Sequence, residues 1–138
     1  MPKYKIFIDT NVWFSALLGS KNCSSLIEKH ITREVMGVVS QKVINELVKN
    51  TALKNPRSIP TMKKFLETKP PKIVKIPEKL DKEIMRNVDL KDQLIFQAAV
   101  NSKVDLFVTG NLKHFKVKEL ERKYKIKILS PTEALKYI

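Results

Sequence analysis

Short apolar runs recur along this chain, each cut off by polar turn residues, and between them apolar residues repeat at helical spacing. Ile6-Phe7-Ile8 is the first run, and it stops abruptly at Asp9-Thr10-Asn11. A run of this length bounded by turn residues predicts a buried strand. Residues 12–18 and 24–30 then read as helices separated by the breaker Gly19-Ser20-Lys21-Asn22, and residues 35–39 as a second strand. Ser40 is a predicted N-cap, followed by an apolar helical stripe of Val43, Ile44, Leu47 and Val48. After a Pro-containing break at 55–60, residues 61–68 predict a helix ended by Pro70-Pro71, and 73–76 a third strand. Residues 78–86 read as a short helix, and 94–100 as one apolar nearly all round, hence buried. Residues 104–109 form a predicted strand closed by Gly110-Asn111. A helix over 119–124, a strand over 126–129 and a helix over 131–138 with Pro131 near its first position complete the chain.

Strands alternating with helices imply an α/β fold whose parallel sheet, of about five strands, is covered on both faces. With 138 residues and no repeat, low-complexity tract or linker, residues 1–138 are expected to form one domain. No run approaches the 18 or so apolar residues of a membrane span. Met1-Pro2-Lys3-Tyr4-Lys5 leads into the first strand without a signal-peptide pattern, and a lone Cys23 excludes an internal disulfide. Cys23 is expected to act as a small buried hydrophobe. The expectation is a cytoplasmic protein with no membrane association.

Charge changes the picture next. Lys and Arg number 27 against 14 acids, a formal net charge of +13. Such an excess favours polyanionic partners, RNA or DNA first, although a solvated Lys-rich surface has the same composition. Only Arg33, Arg57, Arg86 and Arg122 are arginines, so no dedicated bidentate phosphate clamp stands out.

Three acids fall at the ends of predicted elements. Asp9 follows the first strand, Glu46 lies in the helix after the second, and Asp92 opens the buried helix before the fourth. In open parallel sheets, functional groups collect beyond the carboxyl ends of strands. Carboxylates converging there without His or Cys would suit Mg²⁺ or Mn²⁺, ions that orient and polarise a phosphodiester and activate water. Each acid also has a structural alternative. Asp9 can cap the next helix. Glu46 lies off the apolar stripe and can be a solvated helical acid. Asp92 can be a first-turn carboxylate favoured by the helix dipole, in a cap begun by Asp89, and Asp105 reads as the start of a strand.

The motifs in order resemble those of the PIN domain family. Ile8-Asp9-Thr10-Asn11-Val12 followed by Ser15-Ala16-Leu17-Leu18 is similar to the opening motif, and Ser40 through Glu46-Leu47 to the second. Lys91-Asp92-Gln93-Leu94-Ile95 with Ala98-Ala99 resembles the third, and Val104-Asp105-Leu106-Phe107-Val108-Thr109-Gly110-Asn111 the fourth. Ser130-Pro131-Thr132-Glu133-Ala134-Leu135 resembles the closing helix. Within the family the chain looks most like VapC-like proteins, toxins of toxin–antitoxin pairs. The resemblance implies a three-layer α/β/α sandwich and a metal-dependent ribonuclease using Mg²⁺ or Mn²⁺. It assigns metal coordination and catalysis to Asp9, Glu46 and Asp92, with Thr10, Asn11, Thr109 and Asn111 in support. It also implies a small antitoxin partner and a homodimer that aligns its basic grooves.

One departure stands out. Many relatives carry a fourth acid directly after Thr-Gly, where this chain has Asn111, an amide that brings no negative charge. Asp89 or Asp105 can stand in for it, while Asn111 also fits a simple turn position. His114 occupies another place where relatives sometimes carry Asp, and is expected to be a partly exposed loop residue, with His30 blander still. Lys113 and Lys116 lie nearest the expected site and are candidates for RNA phosphate. Phe14 is expected in the core, and Trp13 either there or stacked on a base. The alternative class is a PIN-fold RNA-binding or assembly module with weak catalysis, favoured by Asn111. A phosphotransferase with Asp9 as nucleophile fits poorly, because Asn11 stands where a second Asp is expected.

Overall fold

A computed structural model describes residues 2–138. Five strands, β1 (Tyr4–Ile8), β2 (Val35–Ser40), β3 (Lys72–Val74), β4 (Leu106–Val108) and β5 (Lys127–Leu129), form one sheet. Its order is β3-β2-β1-β4-β5, and every neighbouring pair is parallel. The helices are α1 (Thr10–Leu17), α2 (Lys21–Ile31), α3 (Gln41–Lys54), α4 (Ile59–Thr68), α5 (Lys82–Asn87), α6 (Gln93–Asn101), α7 (Val117–Tyr124) and α8 (Pro131–Tyr137). Helices α1, α2 and α8 pack together, as do α5, α6 and α7, so the sheet lies between two helical layers.

That sandwich explains the continuous apolar runs. A strand buried on both faces has no solvent side to alternate with. Ile6, Phe7 and Ile8 are therefore all fully buried, as are Val38 and Val39 of β2 and Phe107 and Val108 of β4. Phe7 lies opposite Phe107 in register, with their rings 5.7 Å apart. Phe96 of α6 meets Phe107 edge-on at 5.0 Å, which fixes α6 against the centre of the sheet.

Several boundaries differ from expectation. Helix α2 begins at Lys21 inside the expected breaker, because Ser20 caps it by accepting from the Cys23 N–H. Helix α1 starts at Thr10, capped by Asp9. Residues 78–81 are not helical, and α5 starts only at Lys82; the Asp81 N–H is instead held by Gln97 Oε1 at 2.8 Å. Strand β3 ends at Val74 rather than at residue 76. In α3 the Ser40 cap is as expected, but the buried stripe is Val43, Leu47 and Thr51, with Val48 exposed. Among the described residues no helix is long and apolar enough to cross a membrane.

Candidate active site

Sheet order determines where chemistry can collect. From β1 the chain builds outward through β2 and β3, then returns to the other side of β1 for β4 and β5. The crevice beyond the carboxyl ends of β1 and β4 is thus the topological switch point, the usual ligand position in such sheets. Asp9 leaves β1 there and Thr109 leaves β4 beside it, with the Asp9 N–H bonded to the Val108 carbonyl at 3.0 Å.

The two strand ends are laced together. Asp9 Oδ1 accepts from the Thr10 N–H at 2.7 Å, and Oδ2 from the Thr109 hydroxyl at 2.8 Å. Asn11 Nδ2 also donates to Asp9 Oδ2, at 3.3 Å, while Asn11 Oδ1 accepts from the Gly110 N–H at 2.8 Å. A Cβ at position 110 would stand 3.1 Å from that Oδ1, so glycine suits the close approach. Thr109 Oγ1 in turn accepts from the Asn111 N–H at 3.1 Å. Residues 109–111 are wrapped onto residues 9–11.

Two further acids face this knot. Glu46 is half-buried; its Oε1 accepts from the Thr10 hydroxyl at 2.9 Å, and Oε2 pairs with Lys42 at 3.4 Å. With Val43, Leu47 and Thr51 turned into the core, Glu46 lies off the buried stripe and reaches Thr10. Asp92 opens α6 and is buried. Burial pushes the Asp9 carboxyl up to about 6, its bonds from Thr109 and Thr10 pull it down, and the charges of Asp92 and Glu46 push it up. Burial likewise raises Asp92, opposed by its contact with His114.

His114 is partly exposed, as expected, but its contacts are not those of a free loop side chain. Its side chain is only 15% exposed and is bracketed by two carboxylates. Nδ1 lies 3.0 Å from Asp92 Oδ2, and Nε2 3.8 Å from Asp89 Oδ2. A short antiparallel contact places it there: Val88 bridges Phe115, the Asp89 N–H bonds the His114 carbonyl at 2.9 Å, and the Lys116 N–H bonds the Asn87 carbonyl at 2.9 Å. Asp89 makes no side-chain cap bond at the turn it precedes. Among the described residues Asp89, Asp92 and His114 are the group whose ligand atoms all lie within 4.8 Å of one another. Asp9 and Glu46 act on each other through charge but do not join that compact set.

The donor chemistry suits a divalent cation. Asp9 is 2% exposed, and among the described residues no Lys or Arg forms an ion pair with it or with Asp92. A buried carboxylate without a cationic partner is unfavourable unless it is protonated or met by a positive charge. Oxygen donors with one imidazole are ligands that hard and borderline divalent ions accept.

A family model described as a PIN domain matches residues 5–113, most of the chain. The chain belongs to the PIN domain family. A solved structure of similar fold is a chain of VapBC2 from Rickettsia felis, bound to a DNA fragment from their promoter. It superposes with a TM-score of 0.61 at 15% identity, covering 91% of this chain and 98% of that one. Comparison with curated proteins returns no match.

The remaining expected residues of this PIN domain divide clearly. Asn11 and Thr109 both hydrogen-bond Asp9, and Thr10 links Asp9 to Glu46. Asn111 is half-buried and closes the turn through its backbone. Lys113 and Lys116 are exposed on either side of His114. Asp105 stands at the opposite end of β4, where its Oδ2 accepts from the Lys5 N–H at 2.8 Å, so it cannot replace a fourth acid. Trp13 is buried, its Nε1 donating to the Ile8 carbonyl at 3.0 Å, which removes it as a base-stacking platform. Phe14 packs partly buried against the core, and Cys23 is buried as expected.

Proposed function

We propose that this PIN domain is a metal-dependent endoribonuclease, with Asp9, Glu46 and Asp92 holding Mg²⁺ or Mn²⁺. The observation that carries this reading is Asp9 itself: buried, without a cationic partner, at the switch point, with Glu46 and Asp92 near enough to act on its charge. When bound, a divalent ion polarises a phosphoryl oxygen and supplies hydroxide near neutral pH. The reaction is hydrolysis: a water oxygen adds to phosphorus, the P–O3′ bond breaks, and the proton ends on the departing 3′-oxygen. The chain's own residues position these groups. Thr109 and the Thr10 N–H fix the Asp9 carboxylate, while the Thr10 hydroxyl fixes Glu46. Lys113 and Lys116, exposed beside the site, meet RNA phosphates.

The fold shared with a VapBC2 chain supports a toxin role with a small antitoxin partner in the cytoplasm. An apolar groove of about 220 Å³ between α1, α2, α3 and α4, lined by Trp13, Leu17, Ile27, Leu47, Met62 and Phe65, offers such a partner a surface. A homodimer aligning two basic grooves belongs to the same proposal. The second reading, an RNA-binding module with weak turnover, is favoured by the neutral Asn111.

Cleavage of a mixed RNA pool by wild type and Asp9→Asn, with Mn²⁺, Mg²⁺ or EDTA, separates the two. Metal-dependent cleavage by wild type alone supports the nuclease. Salt-sensitive binding with no difference in cleavage moves the assignment to the binding module.

A further inference from the structure

Asn111 brings no negative charge after Thr109-Gly110, and a different side chain already stands against Asp92. His114 is 22 residues from Asp92 in sequence, and the contact between residues 87–89 and 114–116 carries it there. Its Nδ1 is 3.0 Å from Asp92 Oδ2. Two adjacent ligands of an octahedral ion with bonds near 2.1 Å lie about 3 Å apart. The imidazole and the carboxylate are therefore already spaced as neighbouring donors to one cation.

The other side of the ring also faces a carboxylate, though beyond hydrogen-bond distance. Metal-bound imidazoles usually present their second nitrogen to a carboxylate, which fixes the ring and the tautomer. Asp89 Oδ2 lies 3.8 Å from His114 Nε2, on the side of the ring away from Nδ1. In this structure Nδ1 hydrogen-bonds Asp92 Oδ2; a cation held there would take the place of the shared proton, leaving the N–H on the Nε2 side, which faces Asp89. His114 is also mostly buried, so the ring does not swing freely in solvent.

We propose that His114 is a nitrogen ligand of the metal site, sharing the ion with Asp92 and backed by Asp89, in place of the acid absent at Asn111. This rests on the metal-dependent reading above. It also specifies the ion. An imidazole adds affinity for Mn²⁺ and later transition ions and little for Mg²⁺, which prefers oxygen and retains its waters. The site takes Mn²⁺ ahead of Mg²⁺.

Electron spin-echo modulation of the untagged full chain loaded with Mn²⁺ reads the ligand directly, with no turnover required. The expected wild-type spectrum carries nitrogen modulation from a bound imidazole. The chain has two histidines, so His114→Gln assigns the signal: it disappears, and Mn²⁺ affinity by calorimetry falls tenfold or more while Mg²⁺ affinity changes little. Asp89→Asn, which keeps the imidazole, weakens Mn²⁺ about tenfold and retains the modulation. Mn²⁺ binding without nitrogen modulation in wild type, lost in Asp9→Asn, overturns the His114 assignment and leaves the metal-dependent reading standing. Absence of any specific Mn²⁺ binding overturns both. Absence of nitrogen modulation in the wild-type spectrum overturns the assignment even if a variant fails to fold.

Discussion

The Thr109 hydroxyl donates to Asp9 Oδ2 at 2.8 Å, joining the ends of two adjacent strands that are 100 residues apart in sequence. Both side chains are buried, so neither exchanges this bond freely for water. The contact does two things together: it lowers the carboxyl's proton affinity against the effect of burial, and it holds the Asn111 N–H through the same oxygen.

Thr109→Val keeps the shape and removes both bonds. The Asp9 carboxyl then titrates higher than about 6, and the pH at which Mn²⁺ binding reaches half its maximum moves upward. Stability falls by about 1–3 kcal/mol as the buried acceptor and the Asn111 N–H lose their partner. Thr109→Ser restores most of both effects. A valine variant with an unchanged pH midpoint shows that the hydroxyl does not tune Asp9.

Asp9 sets the stability of the metal-free fold in a pH window of its own. Its folded carboxyl titrates near 6, against an ordinary value of 3.8. Between those values the folded chain binds more protons than the unfolded one, so stability falls as pH rises through the window. Above it the ionised group costs up to about 3 kcal/mol. Asp9→Asn therefore stabilises the protein in EDTA at pH 7.5, by about 1–2 kcal/mol once the imperfect fit of the amide against Asn11 Nδ2 is counted. The gain disappears near pH 4, and cleavage is abolished at every pH. Urea unfolding at the two pH values checks it; a variant less stable than wild type at pH 7.5 contradicts the argument.

Thr10 braces Glu46, which is more open to solvent than Asp9 or Asp92. Thr10→Val frees Glu46 Oε1, leaving Lys42 as its remaining contact. Cleavage is expected to fall about tenfold, as for loss of a partner that orients a ligand. Stability changes by less than about 1 kcal/mol, because a half-exposed carboxylate recovers water. Thr10→Ser retains activity. A large loss of stability without a fall in rate places Thr10 in the fold rather than the site.

Asp9 and Thr109 were readable because each ends an apolar run, and ends of parallel strands mark the switch point. Asp92 is readable as the polar start of a helix that is apolar nearly all round. Glu46 was not accessible to periodicity, since a cleft and bulk solvent both lie off the buried stripe; the ordered motifs supplied it. His114 escaped because residues 111–116 have no period, and its partners are defined by an isolated bridge between Val88 and Phe115. Trp13 stayed open for a similar reason. Its environment depends on Phe65, in a helix some fifty residues away, whose ring lies 5.4 Å from its own.

His30, the blander histidine, has a structural task that a single methyl group tests. Its Nδ1 accepts from the Gly37 N–H at 3.0 Å, which leaves Nε2 to donate to the Lys69 and Pro70 carbonyls at 3.2 Å. The ring thereby ties α2 to β2 and to the segment entering β3. A Cβ at Gly37 would stand 2.9 Å from Nδ1 and 3.1 Å from Cγ, and the bonds at Nε2 resist displacement of the ring. Gly37→Ala is expected to destabilise by about 1–3 kcal/mol, as overpacking does. His30→Ala destabilises as well, through its lost contacts. The double variant is then less destabilised than the sum, because removing the ring removes the clash. Thermal unfolding of the four proteins reads this coupling, and strict additivity contradicts it. RNA cleavage by folded Gly37→Ala stays at the wild-type level, since this clamp is remote from Asp9 in the hydrogen-bond network.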